Sequence, residues 1–349
     1  MHPPISFKLA AIMEPPSQET ALRFECYEAR DAKTWKEFLA QSNNGTLFHD
    51  LDFLAYHPEG KFETHHLMIY QDKTLVALFP AAIVEKSPGH RVLQSPYGAS
   101  IGGCVVSAKL KVGIALEIVG GLQAYAQRMN LTGIELRLAP NSYMREPNDL
   151  FSFTLQIKGF HLEHSSLVFM VPLHGPREGL VNRLLSATKR HNVRSSLKKG
   201  LFVREVDQGK LTDFYAILIE NHSRHGTTPT HTLAELENLF QLVPGKLRLF
   251  LCQQDGVEIA GILLFVLNNI TANTFYVCER QSLKREFYAP AVLHAYLIDK
   301  MAEEGFRYLD LGPSISDTHH NQGTVFFKES MGAQGFSRET LSWTNGASV

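Results

Sequence analysis

Residues 67–79, LMIYQDKTLVALF, align without a gap to residues 250–262, FLCQQDGVEIAGI. In each, an apolar run reaches Gln-Asp and then resumes, with Ala77 and Ala260 at the same place on the return. Apolar stretch, polar turn, apolar stretch is the pattern of a β-hairpin. Later in each half a Gly-led apolar segment stops at proline: GIELRLAP (133–140) and GFRYLDLGP (305–313). Each follows a stretch with helical spacing; over 112–130, Ile114, Ile118, Leu122 and Ala126 recur every four residues. Two matches in the same order argue for duplication of one α/β module.

The rest of the chain fits around these units. Trp35, Phe38 and Leu39 predict a helix over 31–40, and Pro80 predicts an edge or bulge in the second hairpin strand. Residues 92–106 are too rich in Gly, Ser and Pro for a long regular element. Segments 151–157 and 167–173 read as strands flanking a boundary near residues 158–165, which divides the chain into lobes 1–160 and 161–349. A helix or broken pair of helices over 178–199 ends at Gly200, and another helix spans 211–222. Thr232 and Glu235 form a capping box before a third. A hairpin (247–253 and 257–267), a strand (271–278), a helix (291–303) and a strand (306–311) follow.

Among 349 residues the net charge is −1, so no global field draws the chain to nucleic acid or to an anionic membrane. The four cysteines have neither C-x-x-C spacing nor zinc-ligand spacing, which fits reduced thiols and a cytoplasmic protein. The N-terminus lacks signal-peptide features. The longest apolar run, 259–267, falls short of the roughly 20 residues of a spanning helix, so no membrane span is expected.

Chemistry concentrates in residues 305–333, GFRYLDLGPSISDTHHNQGTVFFKESMGA. They read as a strand, a polar loop, and a second strand or strand–turn closing on Phe326-Phe327-Lys328-Glu329. Asp310 lies inside an apolar strand, where a carboxylate is costly unless bonded. Acyl transfer to an amine needs a deprotonated acceptor and a stabilised oxyanion, roles open to Asp310 and Lys328. A strand-edge salt bridge fits these two residues as well. Arg190, Arg194 and Lys198 recur at i, i+4 and i+8, with Lys189 beside them, a stripe suited to phosphate. A solvated helix face fits that spacing too. His222, His225, His231, His319 and His320 form no H-E-x-x-H, so no metal site is expected; they line a cleft or face water. No G-x-S-x-G supports a serine hydrolase.

The module resembles the GNAT acyltransferase fold, and its tandem arrangement resembles the Fem-type aminoacyltransferases. The residues that carry this are Thr46-Leu-Phe-His49, Lys189-Arg-His-Asn-Val-Arg194, Thr228-Pro229, Leu309-Asp-Leu-Gly312 and Phe327-Lys-Glu-Ser-Met-Gly332. The resemblance implies an α/β fold of mixed sheets in two tandem GNAT-like lobes. It implies transfer of an acyl or aminoacyl group, from acyl-CoA or aminoacyl-tRNA as co-substrate, to an amine of a small-molecule or cell-wall-precursor acceptor. No bound cofactor and no stable protein partner are expected. Lys328 holds the place of a charge-stabilising lysine, with Asp310 as its catalytic partner. Lys189, Arg190, Arg194, Lys198, Thr228, His231, Tyr276, Asn321 and Phe327 are the expected substrate- and phosphate-binding set. Two departures stand out. The long coiled-coil insertion of some Fem enzymes is missing. At the place of the Gly-rich pyrophosphate loop of simple acetyltransferases stands Arg285-Glu-Phe-Tyr-Ala-Pro290. An acetyl-CoA-dependent N-acetyltransferase and a non-catalytic binding protein on the same fold are the alternatives.

Overall fold

The computed structural model describes residues 22–224, 226–280, 287–316 and 321–346. The readings made on the N-terminal leader before residue 22, His225, residues 285–286, His319 and His320 lie outside these. The first half runs β1 (Arg23–Cys26), α1 (Ala32–Gln41), α2 (Leu51–Leu54), β2 (Glu63–Thr64), β3 (Leu67–Gln71), β4 (Thr74–Phe79), β5 (Ala82–Ser87), β6 (His90–Ser95), β7 (Val105–Val106), α3 (Val112–Arg128), β8 (Gly133–Arg137), α4 (Leu150–Ile157) and β9 (His161–Pro172). The second runs α5 (Leu180–Leu184), α6 (Ala187–Lys198), β10 (Phe202–Val206), α7 (Leu211–Ser223), α8 (Leu233–Leu242), β11 (Leu247–Gln254), β12 (Val257–Val266), β13 (Thr271–Glu279), α9 (Ala289–Glu303), β14 (Tyr308–Ser316), α10 (Gln322–Ser330) and β15 (Gln334–Thr344).

The aligned hairpins are equivalent in detail. Asp72 and Asp255 both begin their turns with positive φ, 54° and 50°, which a short polar side chain tolerates. Both hairpins slip register at the same step. Ile69 faces Ala77 but Tyr70 faces Leu75; Cys252 faces Ala260 but Gln253 faces Glu258. Val76 and Ile259 are thus matching bulge residues. Pro80 falls between β4, which pairs β3, and β5, which pairs β6, so the strand that is continuous as β12 is broken at this proline. In each half a helix then leads to a parallel strand: α3 joins β6 to β8, and α9 joins β13 to β14.

β9 begins at His161, the first residue of the expected second lobe, but it closes the first run of elements as β15 closes the second. These two strands cross over. β9 lies antiparallel to β14, and β15 lies between β9 and β8, so one eleven-stranded sheet spans both halves. Alternation along β11 shows how this sheet is buried on both faces. Phe250 and Cys252 point to a core under α9, whereas Leu249 and Leu251 point to a core shared with α2, α7 and α8.

Two segments differ from the sequence reading. Residues 151–157 form helix α4 and not a strand: Phe151, Thr154 and Leu155 are its buried face, a helical spacing masked by aromatic and β-branched residues. Phe326–Glu329 likewise lies in helix α10, whose N-terminus is capped by the Asn321 side chain accepting from Thr324 N at 3.0 Å. Lys328 therefore enters the site from a helix. Among the described residues no helix is long and apolar enough to cross a membrane.

Candidate active site

β13 and β14 pair in parallel only from Thr271–Tyr308 to Asn273–Asp310, and then part. Beyond that point β13 follows β12 and β14 follows β9. Both strands are bulged there. Tyr276 faces Leu263 and Thr274 faces Leu264, leaving Phe275 as the extra residue of β13. β14 slips against β9 between Asp310 and Pro313, where Gly312 takes φ 79°, a conformation that disfavours residues with a Cβ. In the first half the corresponding place is filled: Gly102 bridges Leu138 beyond the end of β8, and its N–H donates to Arg137 O at 2.8 Å.

A cavity of about 760 Å³ opens on the α9 side of the parting. Lys328 reaches it from α10, 7% exposed, donating to Gly312 O at 2.8 Å and Pro313 O at 3.1 Å. Burial pushes its ammonium down to about 8, against the pull of Asp310. Lys189 lies over the Phe327 ring at 4.5 Å from its centroid, and burial lowers its pKa as well. His294, 2% exposed, engages Pro290 O through Nδ1 at 2.6 Å; a carbonyl only accepts, so Nδ1 carries the proton. Burial, with Lys328 and Lys189 nearby, holds the imidazole down to about 4. It is therefore neutral at pH 7, and its Nε2 has no hydrogen-bond partner among the described residues.

A second cavity, about 230 Å³, shares Thr274, Phe275 and Leu311 with the first and holds Asp310, Tyr143, Asn273 and Arg338. Asp310, 2% exposed, accepts from the Tyr143 hydroxyl and from Gly312 N at 2.6 Å. Burial raises its pKa, and these two donors, Lys328 and Arg338 oppose the rise. Thr274 Oγ1 and Asn273 Nδ2 donate to Asp310 O at 3.1 and 3.4 Å, fixing the backbone where the strands part.

The structure thus brings Lys328, Lys189, Asn321 and Phe327 together around one cavity and Asp310 beside it. It does not gather the rest. Arg190 donates to Asn182 O and Leu185 O at the end of α5, at 2.8 and 2.7 Å, and Arg194 donates to Asn182 Oδ1 at 3.0 Å. Lys198 is exposed. The basic face is not a free row of cations, because two of its members hold a neighbouring helix. His231 and Tyr276 lie in the core shared with α7 and α8, joined through His231 Nδ1 and the Tyr276 hydroxyl at 2.8 Å, with His231 against Tyr56. Thr228 is exposed and lines neither cavity. Sequence reading missed His294, Tyr143 and Arg338. His294 left a signal, a lone imidazole in the apolar run AVLHAYLI; Tyr143 and Arg338 arrive from distant segments and left none.

Residues 187–322 match the family described as "Acetyltransferase (GNAT) domain". A comparison with curated protein sequences gave no match. Among solved structures, FemX superposes with a TM-score of 0.73 at 13% identity, covering 93% of this chain and 97% of FemX. The C-terminal domain of a putative lysylphosphatidylglycerol synthetase from Agrobacterium fabrum gives 0.55 at 11%, covering 91% and 93%. A tandem GNAT protein from the clavulanic acid biosynthesis pathway gives 0.51 at 11%, covering 94% and 100%. Residues 187–322 thus match a GNAT acetyltransferase domain, and the chain as a whole shares the fold of FemX and of the tandem GNAT protein.

Proposed function

We propose that this protein transfers an acyl or aminoacyl group from an activated ester or thioester to an amine, at the parting of β13 and β14. The observation that carries the reading is the buried Lys328 ammonium, held by two carbonyls of bulged β14, at the seam of two cavities that meet through Thr274 and Leu311. The donor occupies the larger cavity and the amine approaches from the smaller. The amine nitrogen bonds to the acyl carbon, the carbonyl oxygen becomes an oxyanion, and the bond to the leaving oxygen or sulfur breaks. A proton passes from nitrogen to the leaving group. Lys328 has three N–H donors, two of them used among the described residues; the third meets the developing charge. His294 Nε2 accepts from the attacking amine and holds its lone pair toward the acyl carbon.

For the donor, α9 supports an aminoacyl ester over a CoA thioester. Its first turn includes Pro290, which has no N–H, and the amides of Ala291 and Val292 turn back to Tyr288 O. Few free amides remain there to hold a diphosphate. A charged-tRNA donor and a cell-wall-precursor or other small amine acceptor place the reaction in the cytoplasm. The test is product mass spectrometry with a panel of acyl-CoAs and charged tRNAs against amine acceptors. A new amide from a charged tRNA is the expected result. A product from acyl-CoA alone reverses the donor assignment, and ligand binding without any product turns the protein into a binding module.

A further inference from the structure

The smaller cavity contains a cation that the acyl-transfer chemistry above does not use. Arg338, on β15, donates through Nε to Ser166 Oγ at 3.0 Å. Its two terminal nitrogens have no hydrogen-bond partner among the described residues, and the side chain lines the cavity with Ser100, Tyr143, Asn273 and Asp310. No carboxylate lies within ion-pair distance of it among the described residues; Asp310, which lines the same cavity, is taken up by Tyr143 and Gly312. Burial and repulsion from Arg137 lower its pKa, against the pull of Tyr143 and Asp310. Arg338 is half-buried, and a partly desolvated guanidinium with its fork open gains from a ligand that completes it.

We propose that Arg338 is the carboxylate-recognition residue of an acceptor subsite, and that the acceptor is an amino-carboxylate: a free amino acid or the carboxylate end of an amine-bearing peptide. The planar fork matches a carboxylate in bidentate geometry, and a cavity of about 230 Å³ limits the bound portion to a few heavy atoms. With the carboxylate on Arg338, the other end of a short acceptor points to Thr274 and Leu311. There the cavity joins the one that holds Lys328 and His294. The assignment rests on the acyl-transfer reading for its direction, but the carboxylate site itself is testable without turnover.

The experiment is equilibrium binding by ligand-observed NMR to the full-length protein. The probes are amine pairs that differ only in the carboxylate: glycine and glycinamide, L-alanine and L-alaninamide, L-lysine and L-lysinamide. At least one carboxylate member should bind roughly 10- to 100-fold more tightly than its amide, the worth of a charge-assisted contact. Arg338→Gln should abolish that preference, and Arg338→Lys, which keeps charge but not the fork, should restore part of it. Equal binding within every pair, preference retained in Arg338→Gln, or no binding by any carboxylate member overturns the proposal. The wild-type comparison needs no variant, so a misfolded Arg338→Gln leaves the test intact. Carboxylate preference without turnover keeps this site and removes acyl transfer; turnover with no carboxylate preference does the reverse.

Discussion

The Lys328 ammonium donates to the Gly312 carbonyl across 2.8 Å, tying α10 to the bulge of β14. The lysine is therefore both a fastener and, in the proposed reaction, the group that meets the oxyanion. Lys328→Met leaves the carbonyls of Gly312 and Pro313 without this donor, at a cost of about 1–3 kcal/mol in stability. Loss of its charge from the transition state should lower kcat ~10²–10³-fold with little change in substrate affinity. The ammonium is charged below about 8, so kcat should fall as pH rises through 8, and that limb should vanish in the variant. A wild-type rate that keeps climbing above pH 8 would mean that the charge plays no part.

Tyr143 is a positioning residue. Its hydroxyl and Gly312 N–H are the donors that hold the Asp310 carboxylate where β13 and β14 part. Tyr143→Phe removes one donor from a buried acid, which should cost about 1–3 kcal/mol and raise the Asp310 pKa further. Asp310→Asn keeps an acceptor for Gly312 N–H and lets the Tyr143 hydroxyl reverse its role, so it should cost less. Urea denaturation of both variants decides the order, and a harmless Tyr143→Phe would show that the hydroxyl is not needed there.

How much of this was legible in the sequence depends on how local the determinant is. The hairpins were readable because a two-residue turn, its Asp and the alternation around it are local, and the duplication followed from finding that unit twice. Lys328 and Asp310 were readable as polar residues in apolar runs. What the sequence hid is non-local. The sheet that joins the halves depends on β9 and β15 exchanging places, which no local pattern encodes. Arg338 and Tyr143 reach Asp310 only through that pairing. The basic stripe was readable as spacing, but its partner α5 was not, so a structural bond to Asn182 looked like a free charge.

Three fully buried histidines, His49, His231 and His294, are each held down to about 4 by burial. Their folded values lie below the ordinary 6.5, so between pH 6.5 and 4 the unfolded chain binds more protons. Their contribution is complete above pH 6.5 and is lost as pH falls toward 4, at no more than ~1.4 kcal/mol per pH unit for each. The urea midpoint should therefore drop from pH 7 to pH 5, and less steeply in His231→Asn, which removes one of the three. Identical slopes in the two proteins would mean that His231 titrates equally in both states.

Helix α6 separates three cations by function, and single substitutions resolve them. Arg190 holds the last carbonyls of α5, so Arg190→Ala should lower the melting temperature by several degrees while leaving ligand affinity in the larger cavity near wild type. Lys198 is exposed, and Lys198→Ala should change neither stability nor affinity, since exposed charges contribute little. Lys189 stands over Phe327 at the cavity wall. Lys189→Ala should relieve a half-buried charge, leave the melting temperature within a degree or two, and weaken an anionic ligand about tenfold, with a smaller salt dependence afterwards. Inorganic phosphate titrations at two ionic strengths, beside thermal melts of the three variants, read both quantities. If Arg190→Ala is the variant that loses phosphate while keeping its melting temperature, the arginine serves ligand and not α5, and the division drawn along this helix is wrong.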